Sequence, residues 1–305
     1  MRHFDELTVV VPTYNRPKYL KRSLDYWGAT AFKIIVADGS DKKYDGDIPL
    51  NVAYFHSNEL LINERWSNAL QKVKTPYVVF CADDDFLSLS GIKNCLDYLN
   101  NFSDYSSAQG LAVTFEIDNK RDVFVEMANA KMVGHQIDGD FSSERLDQLF
   151  DEYIYQIYSI YRTPLLQKAV DACTDLDNPH YIELASAIVP SIFGKHKVLP
   201  VFYSARQHIP GSSSGSFEVP RFDILKARGM INYKAWKTNI VNIYAQAESV
   251  PLENALRIIE KTLTKYYEWD SKTFPDRIAM DASFWSFPTR YKIKVILKIQ
   301  VIKMY

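Results

Sequence analysis

The sequence predicts an α/β protein, with a mainly parallel sheet flanked by helices and a mainly helical C-terminal region. Three observations predict it. Short apolar runs alternate with stretches of helical spacing through the first hundred residues. The runs are apolar at consecutive positions, the pattern of strands covered on both faces, as in parallel sheets. Acidic residues stand directly behind two runs, at Asp38 and at Asp83 to Asp85. Ligands of such sheets bind at the carboxyl ends of the strands.

The elements follow in order. Leu7 to Val11 reads as the first strand, ended by Pro12. Pro17 suits the first turn of a helix that runs to about Trp27. Lys33 to Ala37 and Asn51 to Phe55 are the second and third strands. Asn63 to Val73 is the second helix, Tyr77 to Ala82 the fourth strand and Ser90 to Leu99 the third helix. Beyond residue 105 the pattern is less regular. Gly110 to Ile117 reads as a strand, with Asp122 to Met127 beside it. Ser142 to Tyr161 mixes helical and aromatic character. Pro164 to Ala172 and Tyr181 to Phe193 read as helices, and Lys197 to Ala205 as a strand. Gly211 to Ser216 is a serine-rich loop. Residues 221–268 read as mainly helical.

Composition narrows the function. The 305 residues are 47% hydrophobic, enough for one large α/β domain or for one domain with a helical appendage. A formal net charge of -1 gives no global field for nucleic acid. Cys81, Cys95 and Cys173 are widely spaced and odd in number, so neither a zinc pattern nor a disulfide framework is expected, which fits a reducing compartment. The charged start, Met1 to Glu6, lacks a secretory signal pattern. No run of eighteen apolar residues predicts a membrane span. From Thr289 to Tyr305, lysines and arginine alternate with apolar residues and no acid intervenes. That segment suits either a peripheral contact with anionic lipid or a terminal element docked on the body. A cytoplasmic protein, peripheral to the inner face of a membrane if the tail binds lipid, is the expectation.

Asp83-Asp84-Asp85 carries the chemistry. Adjacent carboxylates without a counter-ion repel one another and raise each other's pKa. Hard oxygen ligands suit Mg²⁺ or Mn²⁺, held by one or two carboxylates together with substrate phosphates. The competing reading is a solvated acidic turn that caps the next helix.

Together the motifs resemble glycosyltransferase family 2, of the GT-A fold. Val9-Val10-Val11-Pro12-Thr13-Tyr14-Asn15-Arg16-Pro17 is similar to that family's first strand and turn. Ile35-Val36-Ala37-Asp38-Gly39-Ser40 is similar to its second strand. Asn63 to Ala69, leading through Lys74-Thr75-Pro76-Tyr77 to Asp85, is similar to its helix, strand and Asp-x-Asp cluster. The resemblance covers residues 7–99, with one departure: the family often has a second Asp where Ala37 stands.

The resemblance implies an inverting, metal-dependent transfer of sugar from a nucleotide-sugar, commonly a UDP-sugar, to a hydroxyl of a glycan or glycolipid in surface-polysaccharide synthesis. It divides the chain into a GT-A domain over residues 1–220, with a nucleotide-binding half to 105 and an acceptor half beyond it, and a helical region over 221–305. Pro12, Thr13 and Tyr14 would line the base, and Asp38 would accept hydrogen bonds from base or ribose. Arg16 would reach a phosphate or cap its turn. Asp85 would bind the Mn²⁺ or Mg²⁺, with Asp83 and Asp84 supporting. His208 would complete the metal shell, or is a structural histidine. Arg206 would hold the diphosphate, and the loop Gly211 to Ser216 would close over the donor or is an inert turn. Glu183 is the candidate base, with Asp177 in reserve; an acid in a helix's first turn also suits the helix dipole. Glu116 and Asp118 would face the acceptor.

Three other classes compete. A sugar nucleotidyltransferase shares a similar sheet but expects a glycine-rich loop after strand one, where this chain has Pro12 to Pro17 without glycine. A dinucleotide-binding dehydrogenase lacks its Gly-x-Gly-x-x-Gly for the same reason. A non-catalytic glycan-binding module would keep the fold but would have no need of the acid cluster.

Overall fold

The computed structural model describes residues 5–117, 123–127, 135–176, 178–208 and 227–273. Ten strands form one sheet: β1 (Leu7–Thr13), β2 (Lys33–Asp38), β3 (Val52–His56), β4 (Tyr77–Phe80), β5 (Phe86–Leu87), β6 (Tyr105–Ile117), β7 (Val123–Met127), β8 (Gln136–Ile137), β9 (Ile160–Arg162) and β10 (Lys195–Gln207). Their order is β3-β2-β1-β4-β9-β6-β10-β5, with β7 on β6 and β8 on β10. The helices are α1 (Pro17–Gly28), α2 (Ile62–Gln71), α3 (Leu89–Asn101), α4 (Ser142–Leu149), α5 (Thr163–Asp171), α6 (His180–Phe193), α7 (Ala227–Glu248) and α8 (Leu252–Thr273).

The predicted α/β class and its parallel half are present. β3, β2, β1 and β4 pair in parallel, and β6 pairs in parallel with β10. Three expectations need correction. Pro12 does not end the first strand, because β1 continues in register with β2 to Thr13 opposite Asp38. Asp38 is therefore the last residue of its strand rather than the first after it. The third strand is not covered on both faces: β3 is an edge strand, and Phe55 is exposed. The fourth strand stops at Phe80, so Cys81 and Ala82 belong to the turn that carries the acids.

The core explains the order. Val9 and Val11, Ile34 and Val36, and Val79 and Cys81 pack with Leu20, Leu24 and Trp27 of α1 and with Ile92, Leu96 and Leu99 of α3. α1 opens with Pro17 in its first turn, where a missing N–H costs nothing. Ser88 caps α3 by accepting from Gly91 N–H at 3.3 Å.

The chain divides into two compact units. One comprises residues 1–145 and 154–217; the other comprises 146–153 and 218–305. The second unit is helical where described. Phe150, Tyr153, Tyr266 and Trp269 form its aromatic cluster. Lys265 bridges Asp147 at 2.8 Å and Asp151 at 3.0 Å within it.

Candidate active site at the carboxyl ends of the strands

The ends of β1, β2 and β4 bring the predicted residues together. β1 delivers Thr13 beside Asp83: the Thr13 hydroxyl donates to Asp83 Oδ2 at 2.6 Å. Arg16, at the entry to α1, ion-pairs with Asp83 and with Asp84, the latter at 2.6 Å. Its guanidinium is the counter-ion that three adjacent acids require. Burial works against the Arg16 charge, and the two carboxylates outweigh it. Burial also pushes Asp83 up to about 6, against the opposing pull of Arg16 and Thr13. Pro12, the residue before Thr13 in β1, and exposed Tyr14, at the start of the following turn, flank Thr13.

Asp85 is held separately. Tyr158 donates its hydroxyl to Oδ2 at 2.6 Å, and the Gln207 backbone N–H donates to Oδ1 at 2.7 Å. Each oxygen keeps a further lone pair. Burial pushes Asp85 up to about 6, with Asp84 adding to the rise. Arg206 lies over the Tyr158 ring, 5.0 Å from its centroid. Burial opposes the Arg206 charge, while Tyr158, Asp85 and Glu183 sustain it. Glu183 therefore acts on the same guanidinium as Asp85. It stands in the first turn of α6, with His180 Nδ1 3.7 Å from its carboxylate.

Asp38 is a buried residue built into its turn. Its Oδ1 accepts from Ser40 N–H at 2.8 Å, and its Oδ2 accepts from the Tyr54 hydroxyl. Burial first, and then this bond to Asp38, hold the Tyr54 phenol far above its usual range. The Arg65 guanidinium lies over Gly39, its carbon 2.1 Å from where a Cβ would stand. Asn15, with φ 55°, turns the chain so that its N–H meets Ser40 Oγ at 2.8 Å.

His208 stands elsewhere. Its Nδ1 is 3.5 Å from Glu116 Oε2, and its N–H pairs with Phe115 O at the open end of β10. Among the described residues, no three His, Cys, Asp or Glu side chains gather as a metal site. Asp83 and Asp84 are engaged by Arg16. Asp85, with hard oxygens and a lone pair left on each, is the acid whose chemistry fits a divalent cation shared with a ligand's phosphates. Asp177, Asp118, the loop Gly211 to Ser216 and the tail Thr289 to Tyr305 lie outside the described residues.

Four residues absent from the sequence reading complete the site. Tyr158 and Gln207 fix Asp85. Arg22 donates to Asp84 O at 2.8 Å and to Gln207 Oε1 at 2.7 Å, tying the acid turn to β10. Arg65 covers Gly39. Of these, only Gln207 had a signal, its place beside Arg206 and His208 at the end of a strand.

The fold and the acid cluster at these strand ends are of the GT-A kind. Residues 8–135 match the family described as glycosyl transferase family 2. Two solved structures share the fold. Staphylococcus aureus TarS 1–349 in complex with UDP-GlcNAc superposes with a TM-score of 0.60 at 16% identity, covering 88% of this chain and 74% of that one. A second structure of TarS 1–349 gives 0.54 at 15% identity over the same shares. No curated protein matches the sequence.

Proposed function

We propose that this chain is an inverting glycosyltransferase that moves a sugar from a nucleotide-sugar, a UDP-sugar first among the candidates, to a hydroxyl of a glycan or glycolipid of the cell surface. The observation that carries the reading is the separate suspension of Asp85 between Tyr158 and Gln207, with Arg206 beside it and Arg16 occupying the other two acids. The domain match supports the reaction class. A neighbour with UDP-GlcNAc bound supports the donor class.

The roles follow from chemistry. Pro12, Thr13 and Tyr14 line the base, and Asp38 accepts from base or ribose. Asp85, together with the donor's diphosphate, would hold Mn²⁺ or Mg²⁺, which would supply positive charge to neutralise the leaving group. Arg206 adds a fixed positive charge next to the same phosphates. Glu183 accepts the acceptor's hydroxyl proton as the new bond to the anomeric carbon forms and the bond to diphosphate breaks. Asp83 and Asp84 shape the turn through Arg16. His208, exposed and beside Glu116, has the weakest claim to the metal. Residues 1–220 supply the transferase domain, and the helical region serves the acceptor side or an assembly.

The test is a binding panel of nucleoside diphosphates and nucleotide-sugars, with and without Mn²⁺, on wild type and Asp85→Ala. One nucleotide bound with Mn²⁺, and lost in the variant, is the expected result. Binding that ignores both metal and Asp85 reduces the acid cluster to a structural turn.

A further inference from the structure

The acid turn runs directly into β5, and β5 pairs antiparallel with β10. Leu87 stands opposite Ser204 and Phe86 opposite Ala205, where the pairing stops. The next residue on from β5, Ser88, gives its N–H to Tyr203 O at 2.7 Å. Hydrogen-bonded pairs in an antiparallel ladder recur at every second residue. The same register carried two residues past Phe86 sets Asp84 opposite Gln207. The bond then due joins Gln207 N–H to Asp84 O. The structure spends both groups otherwise. Gln207 N–H donates to Asp85 Oδ1 at 2.7 Å, and Asp84 O accepts from Arg22 Nη2 at 2.8 Å.

Arg22 is therefore spliced into the end of the ladder. The same Nη2 also donates to Gln207 Oε1 at 2.7 Å, so its two hydrogens bridge the acid turn and β10. Aromatic rings hold the guanidinium in place. Its carbon lies 5.2 Å from the centroid of Tyr19 and 4.9 Å from that of Phe86. Its Nε is buried with no hydrogen-bond partner, so on that side the rings do the fixing. Tyr19, Arg22 and Tyr26 follow one another at steps of three and four along α1 and share a face. The Tyr26 hydroxyl donates to Leu87 O at 2.6 Å, so this face of α1 grips β5 and the acid turn together.

The arrangement sets two acceptors in competition for one donor. Asp84 is a buried residue, and its carbonyl needs a partner. With Arg22 removed, the partner the register offers is Gln207 N–H, and making that bond takes the donor from Asp85. We propose that Arg22 is a positioning residue for Asp85. By holding Asp84 O, it stops β5 from extending along β10 and reserves Gln207 N–H for the carboxylate. The inference rests on the proposed role of Asp85 toward the cation and the diphosphate, and Arg22 acts on that role only through Gln207.

The experiment compares wild type, Arg22→Met and Arg22→Lys as full chains. Methionine keeps an apolar stem between the rings and removes every donor. Lysine returns a donor to the same place without the guanidinium plane. Three quantities are measured at one neutral pH: the Gln207 amide proton shift in the metal-free chain, the urea midpoint, and binding of UDP, GDP, CDP and ADP with Mn²⁺. In Arg22→Met the Gln207 amide should move upfield, as its acceptor changes from a carboxylate to a neutral carbonyl. Affinity for the diphosphate that wild type binds should fall about tenfold. Arg22→Lys should recover both, although the two variants share the lowered urea midpoint that comes with lost stacking. An unmoved Gln207 amide in Arg22→Met overturns the proposal, and so does wild-type affinity in that variant. Affinity that follows the urea midpoint in both variants, with no recovery by lysine, makes Arg22 a packing residue and also overturns it. If wild type binds none of the diphosphates with Mn²⁺, the role of Asp85 fails and this proposal with it. That failure shows in wild type alone, before any variant is compared.

Discussion

Tyr158 uses one hydroxyl twice. It donates to Asp85 Oδ2 at 2.6 Å and accepts from Ala82 N–H at 3.3 Å. The two ends of the acid turn thus share one buried phenol, whose pKa burial holds well above its usual range. Tyr158→Phe keeps the ring under Arg206 and deletes both bonds. A buried carboxylate oxygen is then short of a donor, which costs roughly 1–3 kcal/mol of stability. The urea midpoint should fall accordingly, and Mn²⁺-dependent nucleotide affinity should fall about tenfold as Asp85 loses its fixed position. A variant that loses stability but keeps full nucleotide affinity would assign Tyr158 to packing alone. The sequence could not single it out. It is one of 20 tyrosines, and it lies 73 positions from its carboxylate. Asp38 and Asp83 to Asp85 were legible for the opposite reason: acids behind apolar runs contradict packing and so announce a task. Arg65 lacked such a signal, because an arginine in an amphipathic helix ordinarily faces solvent.

The elements were legible where covalent geometry or periodicity decides them. Pro17 sets the start of α1, and the apolar runs set β1, β2 and β4 to within two residues. The short strands were not. β9 has three residues, yet it pairs antiparallel with both β4 and β6 and joins the parallel half of the sheet to the rest. β5 and β8 have two residues each and exist only because β10 offers them an edge. Periodicity cannot register so short a strand; its pairing is a tertiary fact. β10 was underestimated for a related reason. Its pairing with β6 shifts register three times, which blurs the alternation a regular strand would show. Gly91 tests how tightly this region is built. A Cβ there would lie 2.5 Å from Phe202 O and 2.8 Å from Tyr203 Cα, so α3 rests directly on the β10 backbone. Gly91→Ala should therefore destabilise by roughly 1–3 kcal/mol despite the better helix propensity of alanine. Thermal unfolding checks it. An unchanged or raised midpoint would mean that α3 can move off the strand at no cost.

At the scale of the molecule, the acid cluster sets stability and ligand binding against each other. Asp83 and Asp85 are both pushed up to about 6, chiefly by burial. In the unfolded chain they titrate in the ordinary carboxylate range near 4. Between those values the folded protein binds more protons than the unfolded one. Stability from these two groups is therefore complete below about pH 4 and is lost as pH rises through 6. At neutral pH each ionised carboxylate costs the fold up to about 3 kcal/mol. Asp147, in the helical unit, works the other way: Lys261 and Lys265 hold it low, so its contribution fades only in more acid solution. Between pH 7 and pH 5 the cluster should dominate. Resistance to urea should rise as pH falls across that window, and Asp83→Asn or Asp85→Asn should flatten the rise. Metal-dependent nucleotide binding needs Asp85 ionised, so it should weaken over the same interval. Opposite slopes in one window are what a site kept charged for a ligand, at a cost to the fold, must display. Urea titrations and Mn²⁺-dependent nucleotide titrations at pH 7, 6 and 5 measure both. If stability instead falls with acid while binding falls beside it, the two carboxylates are stabilising ion-pair partners of Arg16 and Arg206. The cluster would then hold the turn together rather than wait for a cation.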